Sequence, residues 1–112
     1  MESEPIMTTV WVPNDSTHDF DPAKEYGEII YLTRGRINRF STSKLYREFV
    51  DKMKDSTEKD YLILTGLTML NVLAAAILVL KYKRLNLLIY KTTGVKGGYI
   101  ERVIKFGEGE ED

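Results

Sequence analysis

Short apolar runs separated by polar stretches predict an alternation of strands and helices along the chain. Five runs rich in β-branched and aromatic residues are typical of strands; they lie at Thr8–Val12, Glu28–Thr33, Tyr61–Thr65, Leu85–Tyr90 and Tyr99–Phe106. Two longer stretches are typical of helices. The first starts at the N-cap candidates 41–43 and ends near Lys54, and the second covers Leu67–Lys83.

The order β-β-α-β-α-β-β predicts an α/β fold with a mostly parallel central sheet. Continuous apolar runs such as 62–65 and 85–90 suit strands that are covered on both faces. Right-handed crossovers make the second, third and fourth strands parallel. The glycines between 94 and 98 return the chain, so the last strand pairs antiparallel at the edge. We expect a small three-layer or two-layer sandwich, whose strand order the sequence leaves open.

The predicted helix 67–83 is apolar almost all round. Its uncharged, bulky residues point in every direction of a helical projection. One sheet and one neighbouring helix cover only part of such a surface. We therefore expect a homodimer through helix 67–83. Asn71 either reaches back to the turn at Gly66 or bonds its symmetry mate across the dimer.

The same region raises the question of a membrane span. Tyr61–Leu80 is 20 residues long without a charge, and basic residues follow it. Gly66 divides this stretch, and the polar residues in its first half make a poor lipid-facing surface. We therefore expect a strand, a turn and a helix of a soluble protein.

Length and composition restrict the choice of function further. The chain has 112 residues, no Cys and one His, which argues against disulfides, thiolate chemistry and a His-rich metal site. We expect one domain over residues 8–106, with a disordered N-terminus at 1–7 and an acidic disordered tail at 107–112. The acidic tail accounts for much of the negative charge behind the net value of -1, and the rest of the chain is only mildly basic. Nucleic-acid binding is therefore not expected.

Candidate binding residues follow the predicted parallel strands. The carboxyl ends of parallel strands meet at one edge of the sheet, where open α/β sheets bind ligands. Gly66 permits a tight turn, and the free amides that open the next helix attract an anion. Arginines clamp phosphates and hydroxyls donate hydrogen bonds to them. The residues that we expect to bind a phosphate, nucleotide or carboxylate are Arg34, Arg36, Thr65, Gly66, Thr68 and Lys91.

Structural roles account for the same residues without a ligand. Thr68 then caps the helix, Gly66 is only a turn, and the arginines lie on a solvated loop. The sequence also lacks the glycine motifs of nucleotide-binding loops, G-x-x-x-x-G-K-[ST] and G-x-G-x-x-G. Both interpretations stay open.

The polar loop Asn14–Tyr26 is a second candidate. Its aspartates have the spacing of a calcium loop, but Phe20 replaces the glycine that the turn requires. Ser16, His18 and Asp19 are hydrolytic residue types, yet sequence neighbours rarely form a catalytic triad. We expect Asx turns here, with residues 14–21 as a lid and His18 as a ligand contact if the loop folds over the carboxyl edge.

Two stretches, His18–Gly27 and Arg84–Tyr90, resemble small α/β proteins encoded by bacteriophages. The resemblance covers most of residues 10–106 and carries no catalytic motif. It implies an accessory protein that acts on host processes, for example by sequestering a signalling nucleotide without cleaving it.

The sequence thus favours a cytoplasmic, dimeric protein that binds a small anion without catalysis and without a cofactor. If it is viral, the cytoplasm is that of the host, since the acidic N-terminus lacks the pattern of a signal peptide. The alternative is a protein-interaction module that docks a host or structural partner through helix 67–83 or through a strand edge. An enzyme ranks third, because no nucleophile and base pair is recognisable.

Overall fold

A five-stranded sheet with the order β2-β1-β3-β4-β5 forms the centre of the computed structural model, which describes residues 8–15, 19–93 and 96–107. The strands are β1 (Thr9–Val12), β2 (Glu28–Tyr31), β3 (Tyr61–Ile63), β4 (Arg84–Thr93) and β5 (Lys96–Lys105). The helices are α1 (Thr42–Lys52), α2 (Thr68–Tyr82) and a 3₁₀ helix over Asp21–Tyr26.

Strand β1 lies inside the sheet and pairs in parallel on both sides. Trp11 is in register with Ile30 of β2 and with Leu62 of β3. β3 continues in parallel to β4, and β4 pairs antiparallel with β5 along their full length. The predicted α/β class, the parallel centre and the antiparallel C-terminal edge are therefore confirmed.

The strand order explains why both α-helices lie on one face. The connections through α1 and α2 cross the sheet in the same direction, whereas the connection from β1 to β2 runs the opposite way. Crossovers of one hand place the first two on one face and the third on the other. Accordingly, α1 and α2 share a core with the sheet, and Ala23 of the 3₁₀ helix packs on the far side.

Alternation along each strand divides the core into two layers. The helix-side layer is built on Trp11 and Leu62, together with Phe49 of α1 and Leu70 of α2. The far layer contains Val10, Val12, Phe20, Ala23, Ile63 and Leu88, with tyrosines packed around them. Neighbouring strand residues thus point to opposite faces, as the strand period requires.

Asp60 joins the centre of the sheet to the loop that precedes β3. Its buried carboxylate accepts hydrogen bonds from the Thr9 amide at 3.1 Å and from Trp11 Nε1 at 2.9 Å. It also accepts from the amide and the hydroxyl of Thr57, at 2.9 and 3.0 Å. One side chain therefore connects β1 to the start of β3.

The structure extends the sequence prediction in the loop Asn14–Tyr26. An Asx turn is present, since the Asp21 amide donates to Asp19 Oδ1 at 2.9 Å. The 3₁₀ helix that follows has a proline in its first turn and was not predicted. Residues 16–18, including His18, lie outside the described part of the chain, as do the predicted disordered N-terminus at 1–7 and all of the predicted tail 107–112 except Gly107.

The long uncharged stretch is divided, as the pattern predicted. β3 ends at Ile63 and α2 begins at Thr68, so that α2 has 15 residues. Within the described ranges, no helix is both long and apolar enough to cross a bilayer.

Candidate functional site

The connections that leave the neighbouring strands β1 and β3 run in opposite directions across the sheet. The connection after β1 leads outward to β2, and the connection after β3 leads to β4 on the other side. Such a switch point opens a crevice at the carboxyl edge of a parallel sheet. The loops after β2 and β3, which carry most of the predicted binding residues, border this crevice.

The turn between β3 and α2 is held by Asn71. Its Oδ1 accepts hydrogen bonds from the amide and the hydroxyl of Thr65, at 3.0 and 3.1 Å, and its Nδ2 donates to the Thr65 carbonyl at 2.9 Å. The Thr65 hydroxyl also accepts from the Leu67 amide at 3.2 Å. Asn71 thus reaches back to this turn, one of the two possibilities that the sequence left open.

Helix α2 begins without a side-chain cap. Its N-cap residue is Leu67, and Thr68 is the first helical residue, so the interpretation of Thr68 as a cap is wrong. The first amides of a helix have no acceptor within the helix, and the helix dipole makes this end partly positive. The amides of Thr68 and Met69 are therefore oriented to bind an acceptor from outside.

A cleft of about 410 Å³, which we call the α2 cleft, opens at this helix end. Leu67, Met69 and Val72 contribute apolar side chains from the helix side. The opposite wall comes from the loop before α1, with Arg39 and Phe40. Gly66, Thr42 and Thr68 complete the lining. The cleft combines a cation, helix amides and an apolar wall.

A second cleft of about 350 Å³, the Arg36 cleft, adjoins the first. It is lined by Gly35, Arg36, Ile37, Arg39, Phe40 and Leu67. Because Arg39 and Phe40 line both clefts, they form the ridge between them. The Arg39 guanidinium carbon lies 5.3 Å from the centroid of the Phe40 ring, and Phe40 is 80% exposed.

Arg34 is engaged elsewhere. Its Nη1 lies 2.7 Å from Asp15 Oδ2, and its guanidinium carbon lies 4.9 Å from the centroid of the Tyr31 ring. Arg34 therefore braces the ends of β1 and β2, and it lines neither cleft.

Buried polar contacts fix the loop that carries these arginines. Asn14 Nδ2 donates to Thr33 Oγ1 at 2.8 Å and to the Gly35 carbonyl at 3.2 Å. The Thr33 hydroxyl donates to the Pro13 carbonyl at 2.7 Å. Since both residues are buried, these bonds set the position at which the chain enters the segment 34–40.

The predicted binding residues thus divide into groups. Gly66 and Thr68 line the α2 cleft, and Arg36 lines the adjoining cleft. Thr65 lines neither cleft and shapes the turn between β3 and α2. Lys91 lies on β4 opposite Gly98, lines neither cleft, and is exposed. His18 lies outside the described residues, so its predicted ligand contact stays a prediction.

Arg39 and Phe40 are not among the residues that the sequence predicted to bind a ligand, although both follow the second strand. A signal was present, because an arginine and a large aromatic residue precede the helix cap at Ser41. Only the fold shows that they face the N-terminus of α2 rather than solvent alone.

The titratable groups with raised pKa values lie on the far side of the sheet. Burial raises the pKa of Tyr99 to about 12. The pKa of Tyr61 is also raised, mainly by burial and to a smaller extent by the hydrogen bond to Glu101. These tyrosines pack around the far core layer, away from both clefts.

Among the described residues, no cluster of three or more His, Asp or Glu side chains is placed to hold a metal ion.

The fold defines a class: small α/β proteins with a mostly parallel sheet and one antiparallel edge pair. Residues 8–106 match the family described as Phage Pam3 gp32-like protein, and the chain belongs to this family. The resemblance to small phage-encoded proteins is thereby confirmed. No curated protein and no solved structure matches the chain.

Proposed function

We propose that this protein binds a small organic anion of the nucleotide class in the α2 cleft, without transforming it. The observation that carries the proposal is the uncapped N-terminus of α2, which opens into a 410 Å³ cleft beside Arg39. Helix amides and a guanidinium together bind phosphate or carboxylate oxygens.

The other wall of the cleft suits the apolar part of such a ligand. Phe40 offers an exposed aromatic face, and Met69 and Val72 offer apolar contacts opposite the loop. A planar base stacks readily on an aromatic ring and on a guanidinium. A ligand with both a charged and a planar part uses the whole lining, whereas inorganic phosphate uses only one end.

The lining residues favour binding over catalysis. They provide two threonine hydroxyls, from Thr42 and Thr68, but no carboxylate or imidazole that would act as a base. A nucleotide held there would be sequestered, which agrees with the accessory role that the phage resemblance implied.

Arg39 is the residue that tests the proposal. We expect Arg39→Ala to weaken nucleotide binding about 10- to 100-fold, because a charge-assisted hydrogen bond contributes about 1.5–3 kcal/mol. Arg36→Ala should weaken the binding of only those ligands that are long enough to reach the Arg36 cleft. Binding is measured by titration calorimetry against mono-, di- and cyclic nucleotides, after a thermal-shift screen.

Two matched variants serve as controls. Arg102→Ala removes an exposed arginine of β5 that donates to its neighbour's carbonyl, at the opposite end of the sheet order from the loop after β2. Arg34→Ala removes the arginine that pairs with Asp15. Both should keep the affinity of the native protein. If no nucleotide raises the melting temperature, or if Arg102→Ala weakens binding as much as Arg39→Ala, the proposal fails.

A second candidate function is protein interaction, and the exposed outer side of α2 favours it. Val72 is 54% exposed and Leu80 is 70% exposed, on a helix that carries no charge before Lys81. This function predicts that substitutions at Val72 and Leu80 abolish partner binding, while the arginine variants leave it unchanged.

A further inference from the structure

We infer that the outer side of α2 is covered by α2 of a second copy, packed antiparallel about a twofold axis at Ala76. In this arrangement Lys83 of the partner subunit reaches the α2 cleft and completes it. The first statement is independent of the proposed function, and the second rests on it.

The surface concerned is the outer stripe of α2, which consists of Met69, Val72, Leu73, Ala76, Val79 and Leu80. Met69, Val72 and Leu80 are exposed, whereas Leu73 and Val79 are partly buried and pack against the helix-side core at the borders of the stripe. The stripe carries no charged or hydrogen-bonding side chain. A helix whose outer side is apolar needs cover.

The stripe continues onto neighbouring apolar residues. Phe40 adjoins Met69 and Val72 at the α2 cleft, and Tyr46 of α1 adjoins Leu73 in another shallow cleft. Together these residues and the stripe expose on the order of 600 Å² of apolar surface, at the upper end of the 300–600 Å² typical of a monomer's largest patch. Each partner in a stable dimer buries about 800 Å², polar rim included. The patch therefore has the size that one copy requires.

The spacing of the stripe is self-complementary. Val72 lies four residues before Ala76 and Leu80 lies four residues after it, while Leu73 and Val79 lie three residues to either side. An antiparallel pair with its axis at Ala76 therefore sets Val72 against the partner's Leu80. It also sets Leu73 against the partner's Val79. A twofold interface requires that each contact occur twice in this way.

The residue on the axis suits a close crossing. Ala76 contributes only a methyl group, and the helix is 15 residues long with Ala76 beside its midpoint. Ridges of residues four apart pack into each other's grooves, and small residues at the crossing shorten the distance between helix axes. Both helices are thus used along nearly their full length.

The same register brings a cation to the proposed binding site. Met69, which lines the α2 cleft, lies seven residues before Ala76, and Lys83 lies seven residues after it. Lys83 is exposed and ends α2 in a left-handed conformation, with φ of 57°. The partner's Lys83 therefore lies near Arg39 and the helix amides. An anion bound there would offset their mutual repulsion, so ligand binding and dimer formation are coupled.

Charge-complement variants test the register. We expect the native protein to sediment as a dimer at micromolar concentration. Val72→Glu and Leu80→Lys, which both change exposed residues, should each give monomers because each buries unpaired charges at the interface. A mixture of the two variants should restore a heterodimer, since the new carboxylate faces the new ammonium.

Cross-linking supplies a measurement that does not depend on charged variants. The chain contains no cysteine, so Ala76→Cys introduces a single thiol on the proposed axis. It should form a covalent dimer on mild oxidation, whereas Lys54→Cys, in the exposed turn after α1, should not. A native protein that is monomeric at 100 micromolar with and without nucleotide would overturn the inference and leave another protein as the occupant. A dimer that persists in both charged variants would also overturn it and would place the interface at another surface, such as the edge of β5.

The contribution of Lys83 is tested separately. Lys83→Gln should leave the dimer intact and weaken nucleotide binding about tenfold. Forced heterodimers then show which copy supplies the lysine. One chain carries Val72→Glu with Arg39→Ala, and the other carries Leu80→Lys with Lys83→Gln. The site on the first chain then lacks both Arg39 and the partner's Lys83, whereas the site on the second chain keeps both and should bind with full affinity. If the dimer forms but no nucleotide binds, the proposed function and the lysine's role fail while the interface stands.

Discussion

Asn71 holds Thr65 by three hydrogen bonds, to its amide, its hydroxyl and its carbonyl, across the turn that joins β3 to α2. The clamp satisfies both backbone groups of Thr65 at a point where neither a strand nor a helix would do so. Because Asn71 belongs to the first turn of α2, the helix and the turn hold each other in place.

Replacing this side chain should therefore loosen the turn. We expect Asn71→Ala to lower the free energy of unfolding by about 1–3 kcal/mol, since it leaves partly buried polar groups of Thr65 without partners. Asn71→Asp keeps the acceptor oxygen but replaces the donor with an oxygen that faces the Thr65 carbonyl, so it should also lower stability in urea titrations. An Asn71→Ala variant as stable as the native protein would contradict the assigned geometry.

Removing the Asp60 side chain should lower the free energy of unfolding more than removing that of Asn71. Its carboxylate accepts four hydrogen bonds, among them those from the Thr9 amide and Trp11 Nε1. We expect Asp60→Ala to cost about 3–5 kcal/mol, because bonds to a charged acceptor are strong and the donors become buried without partners. Asp55→Ala, at an exposed position in the preceding turn, is the control and should change stability by less than about 0.5 kcal/mol.

Gly27 has a steric reason to be glycine. A Cβ atom at this position would lie 2.3 Å from the Thr8 carbonyl oxygen, and the residue has φ of 157°. We expect Gly27→Ala to destabilise the protein by about 2 kcal/mol or more, because backbone rather than a flexible side chain must move. Gly98→Ala on β5 meets no atom within 4 Å and should be tolerated. Thermal unfolding of the two variants makes the comparison.

The ionisation of Tyr99 should lower the stability of the folded protein at high pH. Burial raises the pKa of its hydroxyl to about 12, and this buried hydroxyl has no hydrogen-bond partner among the described residues. The folded state thus binds the proton more tightly than the unfolded state, whose value is 10.0. The stability linked to this proton is complete below pH 10 and is lost as the pH rises through 12.

The Tyr99→Phe variant should accordingly be more stable than the native protein at neutral pH, by about 1 kcal/mol, because it removes a buried polar group that no described residue satisfies. It should also lose less stability between pH 10 and 12, as measured by urea unfolding across that range. Tyr31 and Tyr61 remain in both proteins, so the difference between the two curves isolates Tyr99. A variant whose curve runs parallel to that of the native protein would exclude this role.

The element order could be predicted because it depends on local patterns. Apolar runs locate β3 and β4 within a few residues. The predicted return over 94–98 is too long, because β5 begins at Lys96 and its Gly97 and Gly98 pair with β4. The 3₁₀ helix at Asp21–Tyr26 was missed, since six polar-rich residues show no clear period. Local sequence thus specifies the elements whose period is long enough to recognise.

The candidate site was predicted only in part, because strand order decides which loops meet. Arg34 and Arg39 are equivalent in the sequence, as basic residues after one strand. The adjacency of β1 and β2 gives Arg34 a partner in Asp15, while the position of α1 turns Arg39 towards α2. Such pairings depend on contacts between residues distant in sequence, which local patterns do not contain.

The short pairing between β1 and β3 has a consequence for how the molecule opens. These strands are in register at two positions, whereas β4 and β5 are in register at ten. The pairing also joins segments about 50 residues apart, with Asp60 bridging to Thr9 across a separation of 51. Partial unfolding should therefore part the molecule along this line into a unit of β1 and β2 and a unit of β3, β4 and β5. In native-state hydrogen exchange, the amides of β4 should outlast those of β1, and the crevice at the carboxyl edge lies at the end of the boundary that opens first.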